Sequence, residues 1–348
     1  MKHENNNSVL QTETSNQNSR QNDIIFNTLP ISSSSLLVNE LEAISEKVEI
    51  DEKELKSRKN LVKRARAKYY TLNLMEELLK LDSPNKTMYQ RTKECASLLK
   101  QELQNLSSRY CQRRDCMVCN NIRTSQLIDK YKIPFKNLGQ TSFTTLTRPN
   151  VTASQLSEEI IYINKWFAKF KKNVDRYSTE KTFSGIKRIE ITYNPITDTY
   201  HPHIHIGHTS GYENLIISRW LIDNPTANIK AQDTRQTDEN SLTELLKYAT
   251  KFVGGSKKKP IVYAQAFDTI MTGIKGKRLI SAFGELYNIP INENEEFEKL
   301  SKQKYHDLPQ SHFDLWYYEN HDWANIKNKN PENLTGYIPS GINIEYIY

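Results

Sequence analysis

The sequence predicts an α+β fold, a central and largely antiparallel sheet with helices packed on one face, preceded by a helical, zinc-binding arm. Three observations carry this. Segments rich in β-formers at 141–147 (TSFTTLT), 186–193 (IKRIEITY) and 199–208 (TYHPHIHIGH) are separated by stretches with helical spacing of apolar residues. From residue 141 onward the elements read strand, helix, strand, strand, helix, helix, strand. Upstream of them lie a strongly basic helical stretch and all four cysteines.

Taken in order, residues 1–37 are rich in Asn, Gln and Ser and hold too little apolar surface to offset the entropy of ordering them, so a disordered tail is expected there. Residues 38–80 carry Leu, Ile and Val at three- and four-residue spacings. Lys53, Lys56, Arg58, Lys59, Lys63, Arg64, Arg66 and Lys68 fall between them, which predicts helices with a basic face. The first β-rich segment stops at Arg148-Pro149-Asn150, a turn. Thr152 to Gln155 then fits a capping box, and Leu156, Ile160, Ile163, Phe167 and Phe170 recur on one helical face. The strands at 186–193 and 199–208 flank a turn at Asn194-Pro195 and are expected to pair antiparallel. Helices follow at 214–222 and from Ser241, with a strand or two within 261–280. Boundaries are placed at 38–130 for the arm, 131–290 for the sheet domain and 291–348 for an extension, where Trp316, Tyr317, Tyr318 and Trp323 promise some packed core.

Size and charge bound the function. A chain of 348 residues can bury a core around a catalytic site, and an excess of 48 Lys and Arg over 41 Asp and Glu, formally +7, permits a nucleic-acid partner without demanding one. The opening residues lack an apolar targeting core, and the most hydrophobic stretch, LIISRWLI, is short and interrupted by Arg219, so a soluble cytoplasmic protein is expected. Four cysteines in such a compartment favour thiols or metal ligands over disulfides.

His201, His203 and His205 alternate with Pro202 and Ile204, so in an extended strand the three imidazoles share one face while Ile204 and Ile206 enter the core. His203 and His205, at i and i+2, can hold one ion. Glu190, which alternates against Ile189 and Ile191 on the neighbouring strand, is the natural third ligand, and His201 is a further candidate. Such a carboxylate with two imidazoles leaves positions open for water and substrate oxygen, as a catalytic ion requires.

SLTELLKYATKFVGG (241–255) reads as one helix, with Ser241 at its N-cap, Glu244 at the capping-box position and Gly254 near its end. Leu242, Leu245, Leu246, Ala249, Phe252 and Val253 fill one side, and Glu244, Lys247, Tyr248 and Lys251 share an arc of roughly 100° opposite. A capping box alone would account for Glu244, and an amphipathic edge for Tyr248, one of 19 tyrosines. The company favours chemistry. A phenol with a pKa of about 10 needs adjacent positive charge to act as a nucleophile, and Lys247 and Lys251 would supply it, with Glu244 one turn away to activate water.

Cys111, Cys116 and Cys119, joined by the more distant Cys95, form a candidate four-thiolate zinc site of structural type, since ligands three residues apart are the usual knuckle. Free buried thiols are the alternative.

These residues resemble a known family, the single-tyrosine HUH endonucleases that initiate rolling-circle replication of small Gram-positive plasmids. FTTLTRPNV (143–151) resembles the first motif of the family, EITYNPITDTYHPHIHIGH (190–208) its metal-binding motif and ELLKYATKF (244–252) its nucleophile helix. KGKRLISAFGELYN (275–288) resembles the segment that follows, and CQRRDCMVC the cysteine-rich segment. One departure is Gly207-His208, where the family more usually continues with apolar residues. The resemblance implies an RRM-like sheet with the histidines on a central strand. It implies nicking of the plasmid double-strand origin through Tyr248 to give a 5′-phosphotyrosine, Mg²⁺ or Mn²⁺ as the catalytic ion, Glu244 as the termination residue and Lys251 as a charge stabiliser. Host helicase and DNA polymerase would be partners, and a homodimer a candidate state. Origin specificity is expected in 38–125 or the C-terminal tail, because phosphate chemistry is blind to base sequence.

Two other classes compete. His201, His203 and His205 also match the histidine triad of nucleotide hydrolases and transferases, which accounts for that strand alone. A non-catalytic zinc-dependent DNA-binding regulator uses the cysteines and the basic face but leaves the histidines idle.

Overall fold

The structure, a computed structural model, describes residues 34–103, 105–177, 182–238, 240–247, 254–256, 259–289, 303–304, 311–325, 332–339 and 343–345. Contacts divide the chain into residues 1–49 and 50–348, and the sheets all belong to the second unit. The elements are α1 (Ser34–Lys80), α2 (Lys86–Lys93), β1 (Leu98–Leu103), β2 (Asn105–Ser108), α3 (Met117–Asn137), β3 (Thr141–Leu146), α4 (Leu156–Tyr177), β4 (Gly185–Asn194), β5 (Thr199–Thr209) and α5 (Glu213–Asp223). They continue with β6 (Asp233–Gln236), α6 (Ser241–Leu246), β7 (Gly254–Ser256), β8 (Lys259–Tyr263), α7 (Ala264–Gly273), β9 (Ile280–Phe283), β10 (Gln303–Lys304), β11 (Ser311–Glu319), β12 (Asp322–Asn325) and β13 (Asn343–Glu345). The tail expected over 1–37 lies outside the described residues up to 33, and α1 already covers 34–37.

The central sheet runs β6-β3-β5-β4-β9, every pair antiparallel, with the histidine strand β5 in the middle. Alternation decides what each face does. Leu146, Ile189, Ile191, Ile204 and Ile206 point to one side and join Leu156, Ile160, Ile163, Phe167 and Phe170 of α4 and Phe267 and Ile270 of α7 in the main core. The predicted helical stripe is thus the buried one, and half of the expected capping box forms at its start: the Thr152 amide donates to Gln155 Oε1, while the Thr152 hydroxyl donates to that same oxygen and the Gln155 amide donates to the Thr152 carbonyl. The other face differs from the expectation of helices on one side only. Phe143 and Ile186 pack there against Tyr131 and Phe135 of α3 and Leu245 and Leu246 of α6. Helix α7 stands where only strands were expected, between β8 and β9, because Ala264, Phe267, Ile270 and Met271 find a face of α4 to cover.

Gly207 and His208, the departure in the histidine motif, have separate physical reasons. A Cβ at Gly207 would lie 2.3 Å from Leu245 Cδ1 and 3.2 Å from Phe135, so glycine lets α6 and α3 seat against β5. His208 has the opposite parity to His205 and points into the main core, where its ring nitrogens meet Thr144 Oγ1 and the Thr209 carbonyl, both at 2.8 Å. It is a satisfied core histidine, and burial lowers its pKa.

Lys187 also points into that core. Its ammonium donates to Asn164 Oδ1 and sits 5.3 Å from the Phe167 ring, and burial pushes its pKa down to about 8 from an ordinary 10.5. Between those two values the unfolded chain holds a proton that the folded chain has lost, so native stability rises with pH across that window. Lys187→Met should therefore be more stable than the native chain at pH 7, by on the order of 1–3 kcal/mol, with the gap narrowing by pH 10. Paired urea denaturation curves at the two pH values measure this, and a gap that widens with pH would contradict it.

The arm builds a second sheet, β10-β2-β1-β11-β12, so the C-terminal extension folds onto the cysteine region through β11 and β1. Trp316 and Trp323 are buried there, their indoles donating to Gln101 Oε1 and the Ala96 carbonyl. Lys53 and Lys56 lie outside the described side chains, and the basic residues of α1 that are described divide between exposed and buried. Arg58, Lys59, Lys63 and Arg66 are exposed, but Lys68 is fully buried and donates to the carbonyls of Lys93 and Cys95 and to Ser97 Oγ. Asp268 of α7 accepts from Ser83, Asn85 and Tyr89, and Arg114 donates to the carbonyls of Ile274 and Lys277, which ties arm to sheet domain.

Candidate metal centre and nucleophile segment

The register of β4 on β5 sets Glu190 directly opposite His203 and Arg188 opposite His205, while β3 sets Thr145 on the other side of His205. The side chains of Glu190, His203 and His205 therefore emerge together from three adjacent positions on one face. Glu190 Oε2 lies 3.3 Å from His205 Nε2 and 3.8 Å from His203 Nε2, and the three ligand atoms fall within 4.8 Å of one another. His201 shares the face, its ring 5.2 Å from that of His203, but stands outside this group.

The second nitrogen of each ring is already engaged. His205 Nδ1 lies 2.9 Å from Thr145 Oγ1, and His203 Nδ1 lies 3.2 Å from the carbonyl of His201. A carbonyl can only accept, so His203 carries its proton on Nδ1 and turns the Nε2 lone pair toward Glu190. Burial, with the neighbouring His205 ring, pushes His203 down to about 4, and burial lowers His201 as well. A neutral imidazole is the ligand form, so the donor set fits a divalent cation. Thr145→Val keeps the β-branched shape in β3 but removes the oxygen that orients His205. The expected result is Mn²⁺ binding weaker by about tenfold with an unchanged melting temperature, read by titration calorimetry. Affinity within about twofold of native would refute the orienting role.

Arg188 completes this face and was missed by sequence reasoning, although its parity with Glu190, two residues on, signals it. Its Nη2 lies 3.0 Å from Glu190 Oε2, and its Nη1 donates to the Glu244 carbonyl. Burial lowers its pKa, opposed by Glu190 and Glu244, and a guanidinium stays charged under such a shift.

The predicted helix over 241–255 is corrected. Among the described residues it is helical over Ser241–Leu246, Lys247 leaves it with φ −54° and ψ 134°, and Gly254–Ser256 are a strand. The capping box does not form either. Ser241 Oγ donates to Asp238 Oδ1, and the Glu244 carboxylate pairs at 2.8 Å with Arg235, whose guanidinium lies over the Phe143 ring. Leu245 and Leu246 are buried as expected and Leu242 packs beside them. Tyr248, Ala249, Lys251, Phe252 and Val253 lie outside the described residues.

The four cysteines converge, the distant Cys95 included, with their sulfurs within 4.8 Å of one another. Cys95 Sγ is 3.5 Å from Cys119 Sγ, which is 3.6 Å from Cys111 Sγ. Backbone amides point at the sulfurs: Cys111 N to Cys95, Gln112 N to Cys119, and Cys119 N to Cys116 at the start of α3. Hydrogen bonds from its neighbours hold Cys111 well below the usual thiol range, whereas Cys95, Cys116 and Cys119 are raised. Such a cluster shares protons that a cation would replace, and four sulfurs with amide donors suit a closed tetrahedral site.

A family model described as "Replication protein" matches residues 101–207, which include Glu190, His203, His205 and three of the cysteines. "Protein rep" of Streptococcus pneumoniae serotype 2 (strain D39 / NCTC 7466) is 28% identical over 134 residues, 34% of this chain and 41% of its own length. "Protein rep" of Staphylococcus aureus is 28% identical over 176 residues, 44% of this chain and 74% of its own. The match thus spans less than half of the pneumococcal relative. No solved structure matches. No helix among the described residues is long and apolar enough to cross a membrane.

Proposed function

We propose that this chain, whose residues 101–207 match a family model described as a replication protein, initiates rolling-circle replication of a plasmid by nicking and rejoining its double-strand origin. The observation that carries the reading is the convergence of Glu190, His203 and His205 from two adjacent strands, with the Nδ1 of each ring engaged by a neighbour. The histidine-triad reading leaves Glu190 and the cysteine cluster without a role.

Glu190, His203 and His205 would hold Mg²⁺ or Mn²⁺, which supplies polarisation of the scissile phosphate. Tyr248 is the nucleophile. The charges of Lys247 and Lys251 favour its phenolate, whose oxygen bonds to phosphorus while the bond from phosphorus to the 3′ oxygen breaks. The phenol gives up its proton and the departing 3′ oxygen takes one up. The products are a 5′-phosphotyrosyl link, which conserves the phosphodiester for rejoining, and a free 3′-OH for a host polymerase, with a host helicase opening the duplex. Glu244 takes a proton from the water that performs the terminating cleavage. Cys95, Cys111, Cys116 and Cys119 hold a structural zinc ion that keeps the arm folded.

The test uses single-stranded origin DNA labelled at the 5′ or the 3′ end, incubated with Mn²⁺ and the full chain and run on a denaturing gel. An adduct that carries only the 3′-labelled fragment is the expected result. An adduct with the 5′-labelled fragment, or hydrolysis of nucleotides with no adduct on any DNA, would reject the reading.

A further inference from the structure

Arg188 meets two partners on two different elements. One arm of its guanidinium lies 3.0 Å from Glu190 Oε2 on its own strand, and the other donates to the backbone carbonyl of Glu244 in α6. That second partner matters because of its position. In an α-helix the carbonyl of residue i accepts the amide of residue i+4, so Glu244 O is the acceptor that a continuing helix would offer to the amide of residue 248. Among the described residues, the last such bond of α6 runs from Lys247 N to the Thr243 carbonyl, and Lys247 then turns extended. A helix end leaves its final carbonyls in need of donors, and here a buried side chain from the sheet supplies one.

We propose that Arg188 is a positioning residue that fixes the end of α6, and with it the start of the nucleophile segment, to the carboxylate of the ion site. The inference rests on Tyr248 being the nucleophile. Only arginine offers this geometry, since its planar fork can serve a carboxylate and a carbonyl at once, and an ammonium is a single point. The guanidinium holds Glu190 in place from one side while Glu244, four residues before Tyr248, is held from the other. Fixing the Glu244 carbonyl beside Glu190 would limit where a nucleophile four residues on can lie, and placement of a nucleophile is worth large factors in rate.

R188K tests this in the full chain, because lysine keeps a positive charge beside Glu190 and loses the fork. R188Q is the second variant, which keeps donors and loses the charge. In R188K without metal, hydrogen exchange over 244–248 should quicken by roughly tenfold while β4 and β5 keep native protection. With Mn²⁺, adduct formation should slow by roughly thirtyfold while the Kd for single-stranded origin DNA stays within about threefold of native. A role confined to burying Glu190 would leave exchange over 244–248 unchanged in R188K, and that result overturns the proposal, as does an adduct rate within about threefold of native. Should the native chain form no adduct at all, the phosphotyrosyl reading fails, and the exchange data alone decide whether Arg188 anchors α6.

Discussion

Tyr248→Phe protein should bind single-stranded origin DNA as tightly as the native chain and form no covalent adduct with it. The substitution removes one oxygen and keeps the ring, so the bond-forming atom is lost with little change in side-chain shape. Loss of a nucleophile from a concerted site lowers the rate by roughly a factor of 10⁴ or more, which brings adduct formation below detection on a gel. Binding should persist because phosphate contacts by basic side chains set affinity and are untouched. Filter binding beside the denaturing-gel assay separates the two quantities. Retained adduct formation would move the nucleophile to another of the 19 tyrosines, and lost binding would make Tyr248 a packing residue.

Cys116→Ser should release one metal ion per chain and unfold the arm. Cys116 is fully buried, caps α3 and shares a cluster with Cys95, Cys119, Trp316 and Trp323. A serine oxygen is a poor substitute for a thiolate, and three thiols left without their cation retain shared protons in a buried site. Structural zinc sites contribute on the order of 10 kcal/mol of binding free energy to folding, comparable with the whole stability of a typical domain, about 5–15 kcal/mol. The tryptophans give the readout, since Trp316 and Trp323 both lie in the arm core. Elemental analysis should find the ion in native protein and not in the variant, and the arm's fluorescence transition should vanish. Full metal content in the variant would remove Cys116 from the ligand set, and a native protein that holds no ion would make the cysteines free buried thiols.

Strand alternation alone makes the ion site legible in the sequence. Ile189, Glu190 and Ile191, and Ile204 between His203 and His205, assign faces by parity, and the structure keeps each assignment. The helix of 241–255 is less legible. Its capping pattern and apolar stripe are local signals, yet Arg235 captures the Glu244 carboxylate, Asp238 captures Ser241, and Arg188 captures the Glu244 carbonyl. Those three competitors stand 9, 3 and 56 positions away, and none belongs to the helix whose periodicity is read. Helix α7 and the joining of β11 to β1 escape the sequence for a related reason, since each depends on a surface that a distant segment provides.

Composition and alternation thus determined the element types of most of the sheet domain, the residues that share the candidate ion face and the trio of Cys111, Cys116 and Cys119, because each depends on spacing within a short stretch. Three matters waited for the folded chain: that Cys95 closes the cluster, that His208 belongs to the core and not the site, and that Arg188 bridges Glu190 to α6. Each is a meeting of segments distant in sequence, and such meetings are decided by which buried polar groups find partners once the apolar faces have packed.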